Sequence, residues 1–188
     1  MMSVARGLAL IISDGKPIGD FTDSFKFIGE GSFLGIPMPV VVFIIFAIIT
    51  YTLLHKTKFG TYVYAIGGNE NAAVVSGINV KLNLMLIYSL AGAMTATGGI
   101  VLAARTNSGQ PGVGIGYDMD AITCAIIGGS SFSGGVGTIT GTVVGAMIMG
   151  ILTNGMTMLQ INPNIQMIVK GCVIVGAVLI DESKSRKK

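Results

Sequence analysis

Charge is what this sequence has least of. Of its 188 residues, 11% are Asp, Glu, Lys or Arg and 51% are hydrophobic, giving a mean hydropathy of +0.75. A soluble domain carries about 25% charged residues, so the composition excludes an ordinary water-soluble fold. The few charges are also clustered: residues 31–55, 82–104 and 121–169 hold none. The last block far exceeds the roughly 20 apolar residues that one membrane-crossing helix needs. Histidine occurs once, at His55 beside Lys56, which reads as an ordinary end-of-helix residue. Cys124 and Cys172 lie inside apolar runs without a CxxC spacing, and read as small packing residues without a metal or redox role. No HExxH or GxSxG pattern occurs, so no converging catalytic set is in view. Gly129 and Gly134 have the spacing of a phosphate loop, but Gly135 stands where its lysine has to be. Without Lys and Ser/Thr there is neither a phosphate cradle nor a Mg²⁺ ligand. The expectation is a non-enzyme with no metal and no cofactor of its own. The net charge of +3 comes largely from the tail "KSRKK", a topology signal rather than a nucleic-acid site.

What the chain does have points to an all-α, polytopic transmembrane bundle of about 4–5 membrane segments after a truncated first helix. Residues 3–13 form an apolar run interrupted by Arg6, about half a bilayer long, and read as the end of a helix. Residues 14–31 read as a polar loop with a small acidic excess. Spans are expected at 34–54, with Pro37 and Pro39 in the first turns where missing donors cost least, and at 82–104, 138–159 and 165–180. A short or broken helix is expected at 118–128. The stretch "GGSSFSGGVG", residues 128–137, has too many glycines for a stable helix. Irregular backbone at membrane depth is tolerated only against protein or a water-filled cavity, which makes 106–137 the candidate pathway lining. Lys56, Lys58, Lys81 and the tail 181–188 place residues 64–83 and the C-terminus in the cytoplasm, with Arg105 outside.

Several residues stand out within the spans. Gly137, Gly141 and Gly145 make a GxxxGxxxG row, which reads as a close-packing face. Lys170 is the one ionisable residue deep in a span; it snorkels, finds a hydrogen bond inside the bundle, or serves transport. Asp118 and Asp120, at the outer mouth, either compensate the short helix's N-terminal dipole or face the permeant. Asn154 joins them as a possible pathway residue.

The stretch "YAIGGNENAAVVSGINVKLN", residues 64–83, is too polar to span and too uncharged for a plain solvent loop. Gly67 and Gly68 can turn the chain out of the preceding helix. Asn69 suits an N-cap, Glu70 sits well near a helix N-terminus, and Gly77 suits a C-terminal stop. "GTYVYAIGGNENAAVVSGINV" resembles the cytoplasmic segment of monosaccharide ABC-importer permeases of the ribose/galactoside branch. "GYDMDAITCAIIGGSSFSGGVGTITGT" and "NPNIQMIVKGCVIVGAVLID" are similar to that family's later segments, in order and spacing. "SFSGGVG", "VKLNLMLIYSLAG" and the basic tail are most similar to the galactose/methyl-galactoside permeases.

The resemblance implies an inner-membrane permease that works as two copies. Cytoplasmic ATPases bind the ATP and Mg²⁺, and an extracytoplasmic sugar-binding protein delivers a monosaccharide. It implies that 56–81 is the segment seated in the ATPase, through Gly67, Gly68, Asn69, Glu70, Ala72, Ala73, Ser76 and Gly77. Family members carry further helices before the residues matching Met1, so a C-terminal half is expected: a fragment, a split gene with a separate N-terminal half, or an internal start. The rival readings are an ATPase-independent secondary transporter or channel, and a permease remnant that inserts in lipid but assembles with nothing.

Overall fold

The structure, a computed structural model, describes residues 2–33 and 35–185. In chain order the elements are α1 (Met2–Ser13), β1 (Ile18–Gly19), α2 (Asp23–Glu30), β2 (Ser32–Phe33), β3 (Ile36–Pro37), α3 (Met38–Lys56) and α4 (Lys58–Gly68). They continue with α5 (Glu70–Val75), α6 (Val80–Thr106), β4 (Ser108–Gly109), α7 (Tyr117–Ile127), α8 (Ile139–Met158) and α9 (Pro163–Ser185). Helices dominate, as the charge-free runs require. Among the described residues α3, α6 and α8 are long and apolar enough to cross a membrane; Met2–Ser13 and Pro163–Leu179 are shorter apolar helices. On α3, Phe43, Ile44, Ile45 and Ile48 are all exposed. A helix apolar all round is covered by lipid or neighbouring helices.

Several boundaries differ from the sequence reading. α3 starts at Met38 rather than 34, because Ile36–Pro37 pairs antiparallel with Ser32–Phe33. Pro37 is thus in a hairpin, and only Pro39 lies in the helix; Leu34 lies outside the described residues. The polar loop expected at 14–31 contains α2, whose Phe25, Ile28 and Gly29 share one face. α9 runs on through Ser185, so the tail expected at 181–188 is helical at its start, and 186–188 lie outside the described residues.

The chain divides into two compact units. One comprises residues up to Ile49 with Leu84–Ile115. In it β1 pairs with β4, and α2 rests on the end of α6. A Cβ at Gly29 would overlap the backbone of Ala104 and Arg105, and Ala104 is fully buried.

The other unit comprises Thr50–Asn83 and the chain from Gly116 onward. Its centre is the pair α7 and α8. Eleven residues make α7 about 16 Å long, half the hydrocarbon thickness, so it packs along α8 rather than crossing. A Cβ at Gly141 would overlap the Gly128 carbonyl, and one at Gly145 the Cys124 carbonyl. Met149 and Met156 continue the same buried face of α8. Gly137 does not belong to this row: it precedes the N-cap Thr138, whose hydroxyl accepts from the Gly141 amide at 3.2 Å. Near its N-terminal end α7 meets α9, where Lys170 Nζ donates to Asp120 Oδ2 at 2.6 Å. Charged side chains in a membrane protein pair with one another because lone burial in hydrocarbon costs too much.

Two stability predictions follow from these contacts. Gly141→Ala and Gly145→Ala each force the α7 and α8 backbones apart and cost about 1–3 kcal/mol. Gly150→Ala, which has open space, leaves stability unchanged. Unfolding the chain in mixed micelles with increasing dodecyl sulfate reads the difference. At the ion pair, side-chain exposures of 22% and 31% put the loss below the about 3–5 kcal/mol of a fully buried pair. Asp120→Asn or Lys170→Met alone costs about 1–3 kcal/mol; the swap Asp120→Lys with Lys170→Asp recovers at least half, as a double-mutant cycle in the same assay measures.

Candidate functional site

The unusual segment between α3 and α6 folds as two short helices broken at Asn69. α3 stops at Lys56, and Thr57 adopts an extended conformation (φ −125°) before α4 begins. α4 then lies so close to the end of α3 that a Cβ at Gly60 would overlap the Leu54 carbonyl. His55 donates from Nδ1 to the Tyr51 carbonyl at 3.2 Å and stacks on the Tyr51 ring, centroids 4.4 Å apart. This is the contact of an end-of-helix residue, with no reactive partner.

The chain does not turn at Gly67 and Gly68, which are the last residues of α4; it turns at Asn69 (φ −159°). Asn69 caps α5, its Oδ1 accepting from the Ala72 amide at 3.0 Å. Glu70 opens that helix at its positive end. Ser76 Oγ donates back to the Ala72 carbonyl at 2.9 Å. Gly77 adopts φ +81°, and the amides of Gly77 and Ile78 return to the carbonyls of Val74 and Ala73. That pair of bonds closes the helix end with its last carbonyls satisfied.

Asn79 then caps α6 through the Leu82 amide at 3.1 Å, and the buried Asn83 donates to the Asn79 carbonyl at 2.8 Å. The sequence reading missed Asn79 and Asn83, although an Asn directly before an apolar run is an N-cap signal. Three turns in eleven residues are thereby fixed by caps, so α5 is held in place although it is too short to be stable alone.

The faces of α5 are distinct. Ala73 is 3% exposed and packs inward, whereas Val74 and Val75 are 57% and 89% exposed. Gly68, Asn69, Glu70 and Ala72 are exposed as well, and a Cβ at Gly68 meets nothing. The residues singled out from sequence thus split into an outward set and two that face this chain, Ala73 and Gly67.

The pathway candidates do not converge. Asp120 and Lys170 meet each other; Asp118 is exposed on the first turn of α7, and Asn154 is exposed on α8. The stretch 106–137 holds the end of α6, β4 and α7, the last close to the short helix expected at 118–128, and it straddles the boundary between the two units. Its last part, 128–137, is an ordered loop seated on α4. The Tyr64 hydroxyl donates to the Gly137 carbonyl at 2.8 Å. No group of three or more His, Cys, Asp or Glu able to hold a metal occurs among the described residues.

Comparison with known proteins matches residues 1–178 to the family described as branched-chain amino acid transport system / permease component. The chain is 47% identical over 186 residues to the ribose import permease protein of Bacillus subtilis (strain 168), covering 98% of this chain and 58% of that one. It is 43% identical over 188 residues to the ribose import permease protein of Escherichia coli (strain K12), covering 98% and 59%. It is 41% identical over 187 residues to the L-arabinose transport system permease protein of the same strain, covering 100% and 57%. No solved structure matches the chain significantly. The chain spans 58% of the length of the first of these relatives. Similarity of this extent, together with the apolar helices α3, α6 and α8, makes the chain a multi-pass inner-membrane protein that belongs to the family of branched-chain amino acid transport system permease components.

Proposed function

We propose that this chain forms part of the transmembrane path of an ATP-driven importer, with α4 and α5 as the element that meets a separate cytoplasmic ATPase. The observation that carries the reading is the pair α4–α5 between α3 and α6, with α5 capped by Asn69 and Val74 and Val75 turned outward. A channel has no need of such an element. A docking element needs small residues for close approach and polar caps that hold its angle. This reading places the segment and the C-terminus in the cytoplasm, as the lysines around it favour. The importer works with a second permease copy and an extracytoplasmic binding protein.

The cargo in this reading is a monosaccharide. Relatives at 41–47% identity are named for ribose and L-arabinose, which favours sugars over the amino acids of the family description. The motif "SFSGGVG" adds galactose and methyl-galactoside to the substrates for trial. The Asp120–Lys170 pair is the one observation favouring the ion-coupled alternative, since intramembrane ionisable groups serve proton and ion relays. Paired at 2.6 Å, they offset each other's charge.

Proteoliposomes holding the chain with its ATPase and binding protein decide among these readings. ATP-dependent uptake of a labelled monosaccharide, unaffected by dissipating the proton gradient, is expected. Uptake that needs the gradient and not ATP, or uptake of branched-chain amino acids alone, overturns the proposal. Within that assay Val75→Glu and Gly68→Trp each lower uptake about tenfold, the effect of losing about 1.4 kcal/mol of docking, with unchanged yield of folded chain. A bulky residue at Ala73 does not test docking, because its first clash is inside this chain.

A further inference from the structure

The glycine loop 128–137 joins α7 to α8, yet its tightest contacts outside that pair are with α4. One helical turn beyond Tyr64, a Cβ at Gly67 would stand 2.8 Å from the Gly135 nitrogen. Reciprocally, a Cβ at Gly134 would lie 2.5 Å from the Gly67 carbonyl oxygen, and one at Gly135 2.7 Å from the Gly68 Cα. Two backbones therefore touch with no room for a methyl group on either side. Gly134 and Gly135 also have φ of +90° and +73°, a region that other residues rarely adopt.

The loop has little slack of its own. The Ser131 amide bonds the Val136 carbonyl at 2.9 Å, and the Gly134 amide bonds the Ser131 carbonyl at 3.2 Å. At its start the amides of Gly129 and Ser130 close the end of α7 onto Ile126 and Ala125; at its end Thr138 caps α8. Beside the contact lies a cavity of about 250 Å³, between Leu54, Val63, Val136, Ile139 and Thr142. Tyr64, Gly67 and Gly135 line it as well, so the close-packed contact borders open space.

We infer that Tyr64, Gly67, Gly134 and Gly135 form a joint through which displacement of α4–α5 reaches the α7–α8 pair, with Tyr64 as its positioning residue. The inference rests on the reading of α4–α5 as the ATPase-facing element. Close-packed backbone contacts transmit displacement because neither side can yield.

Hydrogen–deuterium exchange on the chain in lipid nanodiscs tests the joint without any transport. Tyr64→Phe removes one hydroxyl and is expected to speed exchange about fivefold, the equivalent of one hydrogen bond, in α4 and in residues 131–137 together. Gly135→Ala does the same. Gly129→Ala is the control: its φ is +86°, but its Cβ meets nothing, so α4 stays protected. Faster exchange confined to the loop in Tyr64→Phe, or an equal response of α4 in Gly129→Ala, overturns the joint. In the assembled importer Tyr64→Phe lowers sugar uptake per ATP hydrolysed, again about fivefold, at unchanged yield of complex. An unchanged ratio overturns its role in transmission. If the unmodified complex shows no ATP-driven uptake, the proposed function falls, while linked exchange of α4 and the loop still supports the joint.

Discussion

Backbone touching backbone at glycine is the contact on which the Gly116-to-C-terminus unit depends. Inside lipid, apolar side chains gain nothing by leaving one apolar medium for another, so helices associate through close packing and polar contacts. Gly141 and Gly145 let α8 lie against the carbonyls of Gly128 and Cys124, and Gly67, Gly134 and Gly135 let α4 lie against the loop. The two contacts are continuous along the chain, because Gly128 ends α7 and begins the loop. A single methyl added at any of these positions meets backbone, which cannot rotate away as a side chain can.

Such approach is open only to a chain whose backbone polar groups are already satisfied. Several helix ends are accordingly capped: Asn69 and Asn79 at the starts of α5 and α6, Gly77 and Gly129 at helix ends, Thr138 before α8. Gln160 closes α8 in the same way at φ +54°, its amide on the Thr157 carbonyl. Caps also fix direction, so the angle between α4 and α5 and the exit into α6 are set locally. The outward face of Val74 and Val75 is a consequence of that local geometry.

The long helices were legible in the sequence because the absence of charge over 20 or so residues has one economical meaning. The caps of α5 were legible for the same kind of reason, since Asn and Gly at fixed offsets act within a few residues. What could not be read depends on partners distant in sequence. Thr57 does not look like a helix break; the break shows only once Gly60 is seated on Leu54. Gly137 extended a four-residue spacing with Gly141 and Gly145, yet its carbonyl serves Tyr64, 73 residues away. Glycine carries no side chain to announce its neighbour. Asp120 and Lys170, 50 residues apart, were each noticed as ionisable, but nothing local said that they would meet.

The placement of those two contacts on α7 has a mechanical consequence. α7 is held at its C-terminal end by glycine packing on α8 and at its N-terminal end by Asp120 on Lys170. An eleven-residue helix with its hydrogen bonds intact behaves as a rod. A push delivered at Gly128 cannot be absorbed along its length and has to emerge at Asp120. There it meets a charge-assisted bond, shorter and stronger than a neutral one. Apolar packing at the same place would slide. A short helix anchored by steric contact at one end and by an ion pair at the other therefore has its placement against α8 and α9 set from both ends.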